Sequence, residues 1–185
     1  MNAVALVLAA GRATRFGSDK LSAPLDGAPL LHHAIRAARA APVDRVIVVT
    51  RPDLDMGEWP GAPAVEALRL ESDALSTTLR AGIAAAGQAE AAFVFLGDMP
   101  RIPAEVAPML FAAIGDGYAA MPCHGGRPGH PVLLSAAAFP AIAALTGDAG
   151  AGRLLRSRSD VALVDVPSPA IHFDVDRPED LATGS

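Results

Sequence analysis

Leu8-Ala9-Ala10-Gly11-Arg12-Ala13-Thr14-Arg15-Phe16-Gly17-Ser18-Asp19-Lys20 is the stretch around which the chain is organised. It closes an apolar run over residues 3–8, whose unbroken hydrophobicity predicts a buried strand. Two glycines, several small residues and three cations then share one loop. Glycine accepts positive φ and has no side chain in the way, so backbone N–H groups there can approach an anion closely. Arg15 offers a planar fork for phosphate oxygens, and Lys20 adds a mobile point charge. The loop therefore reads as a polyphosphate cradle at the carboxyl end of a first strand, where open α/β sheets bind ligands. A solvated surface turn is the plain alternative; the loop's place behind a buried strand, and cations interleaved with its glycines, favour the cradle. Leu21 after Lys20 and the glycine spacing set it apart from a Walker A loop. With no glycine between Gly11 and Gly17, it is not the dinucleotide pattern either.

The composition suits a small anionic ligand better than a polymer. The chain has 185 residues, one domain by length, and carries a net charge of −5 with no basic block. That balance argues against a nucleic-acid partner. Apolar residues make up 51% and aromatic ones 4%, so the core is expected to be aliphatic. Cys123 is the single cysteine, which leaves no internal disulfide and fits a reducing cytoplasm. No stretch approaches the roughly 18 consecutive apolar residues of a membrane span. The last residues, 182–185, are expected to form a frayed tail.

Along the chain, Pro24-Leu25-Asp26-Gly27 predicts a turn, and Pro29 opens a helix through Ala40 with Leu30, Leu31, Ala34, Ile35 and Ala38 on one face. His32 and His33 are adjacent and diverge by about a hundred degrees on that helix, which suits structural roles better than a shared metal. Residues 45–50 form a β-branched second strand, so strand, helix and strand make a right-handed parallel unit. Residues 51–63, around Trp59, read as an irregular loop. A helix to about Ala86 comes next, capped by Asp73 or Ser76, with three consecutive hydroxyls at its start that can also face a base or phosphate. Residues 91–96 are the third buried strand. It ends in Gly97-Asp98-Met99-Pro100, and a carboxylate at a strand tip suits Mg²⁺ shared with substrate phosphates.

Pro103 starts a helix with Val106, Met109, Leu110 and Ala113 as its stripe, and residues 118–122 form another strand. Cys123, His124 and His130 fall in a loop dense in glycine and proline, without the fourth ligand and spacing of a zinc site. Ser135 is expected to cap a short alanine-rich helix, and Asp148 a later one. Residues 161–166 read as a late strand. In Phe173-Asp174-Val175-Asp176, both carboxylates project to one face of an extended segment, which is unfavourable unless a cation bridges them or hydrogen bonds satisfy them. Asp176 before Pro178 also fits a helix cap.

The run Leu8 to Lys20 resembles the L-A-[AG]-G-x-[SA]-x-R-x-G-x-x-K signature of the MobA/MocA-like nucleotidyltransferases. Four later segments resemble the same family in order: Ser76-Thr77-Thr78-Leu79, Gly97-Asp98-Met99-Pro100, Gly129-His130-Pro131, and Asp174-Val175-Asp176 before Pro178. The stretch 147–155 is also similar, with Gly152 inserted or substituted before Arg153; Thr78 and Arg177 stand where serine and threonine are usual. The resemblance implies a three-layer α/β/α sandwich with a Rossmann-like, mostly parallel sheet. Over residues 1–185 it implies one nucleotidyltransferase domain that moves a nucleoside monophosphate from an NTP to a phosphorylated pterin with release of pyrophosphate.

It implies that Leu8, Ala9, Ala10, Gly11, Arg12, Arg15, Gly17, Lys20, Ser76, Thr77 and Asp98 bind nucleotide, with Arg15, Lys20 and Asp98 catalytic. Gly129, His130 and Pro131 meet the acceptor, and Asp98, Asp174 and Asp176 hold Mg²⁺. Ala10, where guanylyl members tend to carry glycine, points to CTP and molybdopterin; GTP or another phosphorylated acceptor is the alternative. A molybdoenzyme receiving the product is the implied protein partner. Two other classes stand as alternatives: a nicotinamide-dependent oxidoreductase, which needs no aspartate metal site, and a chaperone that carries a cofactor without turnover.

Overall fold

Register along one sheet decides which residues meet at its edge. The computed structural model describes residues 1–11, 16, 19–72, 74–147 and 150–181. Arg12, Arg15 and Gly17, the expected caps Asp73 and Asp148, and the tail 182–185 lie outside the described residues. The buried runs become β1 (Ala3–Ala9), β4 (Arg45–Thr50) and β6 (Ala91–Leu96). β1 lies between the other two and parallel to both, with Ala9 opposite Thr50 and Leu8 opposite Leu96. The remaining strands are β5 (Ala64–Arg69), β7 (Ala119–His124), β8 (Arg127–Pro128), β9 (Val132–Ser135) and β10 (Val161–Asp165). The order is β10-β7-β9-β6-β1-β4-β5, with β8 paired to β7. β9 runs antiparallel to β6 and β7, so the sheet is mostly parallel rather than wholly so.

Period-two alternation splits the core into two layers. Ala3, Ala5, Val7 and Ala9 face α1 (Leu30–Ala40) and α3 (Val106–Ala113). Val4, Leu6 and Leu8 face α2 (Leu75–Ala86), α4 (Phe139–Ala143) and α5 (Ala151–Arg156). The expected three-layer α/β/α sandwich is present. In β6, Phe93 and Phe95 fill the first layer and Ala92 and Val94 the second, as a strand buried on both faces requires.

Several local expectations change. The predicted turn at residues 24–27 is the tip of a ribbon of β2 (Pro24–Leu25) and β3 (Ala28–Pro29), with Asp26 and Gly27 at φ 48° and 79°. Such a two-residue turn needs positive φ at both positions, which Asp-Gly supplies. β5 has no counterpart in the sequence reading. It is an edge strand of mixed polarity, fixed by pairing with β4 and by an Arg45–Glu66 ion pair at 3.2 Å. α3 starts at Val106 rather than Pro103, and Ile114 is buried in place of Ala113.

Ser135 is not a cap: its hydroxyl donates to the Tyr118 carbonyl at 2.9 Å and ties β9 to the start of β7. The Trp59 loop is tethered to α1. Trp59 Nε1 donates to the Met56 carbonyl at 2.7 Å, its ring meets His32 edge-on at 5.1 Å, and Arg39 bonds the Pro60 and Ala62 carbonyls. His33 Nε2 lies 2.8 Å from the Leu25 carbonyl, so the two histidines serve separate packing contacts.

Leu6 is fully enclosed in the middle of β1. Leu6→Ala is expected to destabilise the protein by about 2–5 kcal/mol. Leu163, 59% exposed on the edge strand β10, should tolerate the same change within about 0.5 kcal/mol. Urea denaturation of both variants checks the ranking; equal losses would contradict this account of the core.

Candidate nucleotide and metal site

At the carboxyl edge of the sheet, the tips of β1, β4 and β6 emerge side by side. Leu8, Ala9 and Ala10 are buried, and β1 is paired with β4 and β6 up to this point. Gly11 is exposed, and a Cβ there would meet nothing within 4 Å. At the tip of β6, Gly97 N donates to the Leu8 carbonyl at 3.0 Å. A Cβ on Gly97 would lie 3.1 Å from that carbonyl oxygen, so a larger residue would push the next residue, Asp98, off the edge of β1.

The C-terminal segment crosses this edge as a strap built from backbone hydrogen bonds. Val166 N bonds the Cys123 carbonyl, His130 N the Ile171 carbonyl, and Val175 N the Asp98 carbonyl at 3.0 Å. Ile171 and Val175 are fully buried, while Asp174 and Asp176 on either side of Val175 are exposed. The alternation expected from the sequence holds at this point. Arg101 stacks its guanidinium over Phe173, 5.1 Å from the ring centre, and steadies the strap from the β6 side. Asp176 does not cap the helical turn at Pro178–Leu181; the Asp180 carboxylate accepts instead from the N–H groups of Asp176 and Arg177.

Lys20 reaches into this crossing. It is 9% exposed, and its Nζ donates to Asp98 Oδ2 at 2.8 Å and lies 3.7 Å from Asp176 Oδ1. Although Asp174 lies on the exposed side of the strap, partial loss of water around its carboxyl pushes its pKa up, as do the charges of Asp176 and Asp98, with Lys20 opposing. Among the described residues one ammonium thus faces three carboxylates. Among the described residues, no three His, Cys, Asp or Glu side chains are gathered closely enough to hold a metal by themselves. The donor set is one that takes a hard cation through one or two carboxylates, with phosphate oxygens completing its shell.

The other expected residues gather around the same edge. In α2, Ala74 occupies the N-cap position without a side-chain cap, and helix geometry leaves the first-turn N–H groups without intrahelical acceptors. Ser76 is not the cap; it is 1% exposed and its hydroxyl donates to the Gly147 carbonyl. Thr77 is half-buried in the same turn, and Thr78 donates to Ser72 Oγ and the Ala74 carbonyl.

Gly129 is packed so tightly that a Cβ would lie 2.6 Å from the Ile171 carbonyl, which makes it a seat for the strap. His130 comes next, its Nδ1 buried without a hydrogen-bond partner. Burial lowers the pKa of that ring, against the Val94 carbonyl and the charge of Asp98. Pro131 is buried beside it. His124 is turned away, with Nδ1 2.9 Å from the Val166 carbonyl. Arg51, placed by the sequence reading in an irregular loop, is a buried cation at the tip of β4 paired with Asp19 and Asp53. Its signal was its place, directly behind a buried strand on the edge that carries the glycine loop.

A glycine-rich sequence following β1, a carboxylate at the tip of β6 and a strap bringing two more fit a nucleotidyltransferase of the Rossmann-like kind. Residues 5–162 match the MobA-like NTP transferase domain, and the chain belongs to that family. Purine catabolism protein PucB of Bacillus subtilis is 27% identical, over 96% of this chain and 93% of its own length. The molybdenum cofactor cytidylyltransferase of Escherichia coli is also 27% identical, again over 96% and 93%. The 2-C-methyl-D-erythritol 4-phosphate cytidylyltransferase of Laribacter hongkongensis is 38% identical over 53% of this chain and 45% of that protein.

Among solved structures, Rv0371c of Mycobacterium tuberculosis superposes with a TM-score of 0.85 at 23% identity, covering 98% of this chain and 97% of that one. The same protein has been solved as a complex with manganese, with a TM-score of 0.82 at 22% identity and the same coverage.

The carboxylate crowding has a measurable consequence. A folded-state pKa raised above its unfolded value penalises folding once the group ionises, and the penalty disappears below the unfolded value. In metal-free protein, Asp174→Asn is therefore expected to raise the melting temperature at pH 7. The gain should shrink as pH falls through the raised pKa of Asp174. Melting curves in chelator from pH 7 to pH 3.5 test this; a lower melting temperature at pH 7, or a gain independent of pH, would contradict it.

Proposed function

We propose that the chain transfers CMP from CTP to the terminal phosphate of molybdopterin or its molybdenum-bearing form. In this reading an acceptor phosphate oxygen attacks the α-phosphorus. The bond from the α-phosphorus to the bridging oxygen breaks, and pyrophosphate leaves with the electron pair. The acceptor phosphate is already anionic, so no general base is required, and catalysis is alignment and charge neutralisation. The observation that carries the reading is the pairing of buried Lys20 with Asp98 at the sheet edge, beside Asp174 and Asp176. The family, the similarity to the Escherichia coli cytidylyltransferase and Ala10 in the loop support it.

Backbone N–H groups from Leu8 to Gly11 and the residues Arg12, Arg15, Gly17 and Lys20 hold the triphosphate in this account, with Ser76 and Thr77 in the nucleotide site at the start of α2. Gly129, His130 and Pro131 border the acceptor. Asp98 and Asp174, with Asp176 adjacent, would hold Mg²⁺, which supplies charge neutralisation between the two phosphates. Lys20 exchanges its carboxylate partner for phosphate oxygens when substrate enters. The domain, residues 1–185, works in the cytoplasm and passes its product to a molybdoenzyme. No helix among the described residues is long and apolar enough to cross a membrane.

Pyrophosphate release with CTP, GTP, ATP and UTP, each with Mg²⁺, with and without molybdopterin, tests the proposal. Release with CTP that depends on molybdopterin is expected. Release with GTP instead would make the chain a guanylyltransferase, and release only with another phosphorylated acceptor would remove the pterin. In the active pair, Asp98→Asn is expected to lower kcat by about 10²-fold or more with an unchanged circular dichroism spectrum. A kcat within threefold of the wild type at saturating Mg²⁺ would remove Asp98 from the metal site.

A further inference from the structure

Among the described residues two cations are buried, and both sit at this edge: Lys20 and Arg51, each 9% exposed. The reaction proposed above gives Lys20 a task and leaves Arg51 without one. The guanidinium of Arg51 is taken up by protein. Its Nη2 pairs with Asp19 Oδ1, and its Nε lies 3.0 Å from Asp53 Oδ1. Asp53 is only two residues further along the same segment, so that pair is local. Asp19 comes from the far side of the glycine loop and directly precedes Lys20.

Asp19 is the junction between Arg51 and Lys20. Besides Arg51, its carboxylate accepts the Ser22 hydroxyl, and its backbone carbonyl accepts the Ser22 N–H at 3.2 Å. It thereby occupies the N-cap position of the tight turn Lys20–Ser22, whose other end is closed by Ala23 N on the Lys20 carbonyl. Burial pushes the Asp19 carboxyl up, but the bonds from Ser22 and Arg51 more than offset it, and the group stays below the usual carboxylate range. At neutral pH the Asp19–Arg51 contact is therefore a fully ionised pair. A guanidinium fork directs two N–H vectors at once and holds its charge at every working pH, which suits it to fixing a loop end. Leu54 N donates to the Arg51 carbonyl at 3.3 Å, and β4 pairs along its length with β1, so the anchor stands on the sheet itself.

We propose that Arg51 is a positioning residue for triphosphate binding: through Asp19 it fixes the end of the glycine loop and sets where the Lys20 side chain begins. Arg51 itself touches no substrate. The inference rests on the reading of Lys20 as a triphosphate ligand.

Isothermal titration of the full chain with CTP–Mg²⁺ and GTP–Mg²⁺ tests it, using whichever nucleotide the wild type binds more tightly as the probe. Arg51→Met and Asp19→Asn are each expected to raise Kd about tenfold. The double variant should be no weaker than Arg51→Met alone, because both remove one contact. Arg51→Lys should recover affinity to within about threefold of the wild type, and Asp53→Asn should stay within twofold. A general loss of packing would give additive losses and no rescue by lysine.

Lys20→Ala, measured alongside, separates the two readings. If it weakens binding while Arg51→Met and Asp19→Asn stay within twofold of the wild type, only the positioning role is overturned. If Lys20→Ala itself leaves Kd unchanged, the triphosphate reading of Lys20 falls and this proposal falls with it. Should Arg51→Met fail to fold, Asp19→Asn breaks the same contact at an exposed, isosteric side chain and decides the question.

Discussion

An imbalance of charge at one edge of the sheet governs this molecule. The ammonium of Lys20 is set against the carboxylates of Asp98, Asp174 and Asp176, and Asp174 takes the strain as a raised pKa. Like charges held together by a fold cost stability unless a cation or hydrogen bonds compensate. Among the described residues Lys20 compensates these carboxylates only in part, an arrangement that fits the proposed cation and phosphate ligands. The same arrangement explains why a lysine is buried in the first place: the nearby carboxylates offset the cost of removing its charge from water.

The rest of the architecture is arranged to hold those groups together. Register along β1 brings its own tip and those of β4 and β6 to one line. The close approach at Gly97 keeps Asp98 against that line, and the bond from Val175 N to the Asp98 carbonyl delivers the two later aspartates to it. The strap is seated at Gly129, where no side chain fits, and anchored by Ile171 and Val175 in the core. Sheet, loop and strap come from widely separated parts of the chain, so the site exists only in the folded state.

Much of this was legible in the sequence because it is written in local patterns. The buried strands announce themselves as unbroken apolar runs, and α1 as an amphipathic stripe. The carboxylates appear as an aspartate ending one such run and a pair alternating around Val175. What the sequence concealed depends on partners distant along the chain. β5 has no hydrophobic run because it is an edge strand, defined by pairing with β4. Ser76 and Ser135 look like caps, since a hydroxyl before a helix usually is one; in the folded chain both donate instead to carbonyls distant in sequence, those of Gly147 and Tyr118. Arg51 reads as loop polarity because Asp19, the residue that gives it meaning, lies 32 positions earlier in the chain. Lys20 reads as a phosphate ligand, and its contact with Asp98, 78 positions away, is equally invisible in the sequence.

Direct titration of the metal tests the account most closely. Mn²⁺ binding would be followed by electron paramagnetic resonance, with and without a non-hydrolysable CTP or GTP analogue, in the wild type and in Asp98→Asn/Asp174→Asn. One ion per chain is expected in the wild type, bound at least tenfold more tightly once nucleotide is present, because phosphate oxygens complete the shell and draw Lys20 off Asp98. The double variant is expected to lose that ion. Equal Mn²⁺ affinity in both proteins, or an affinity indifferent to nucleotide, would contradict it.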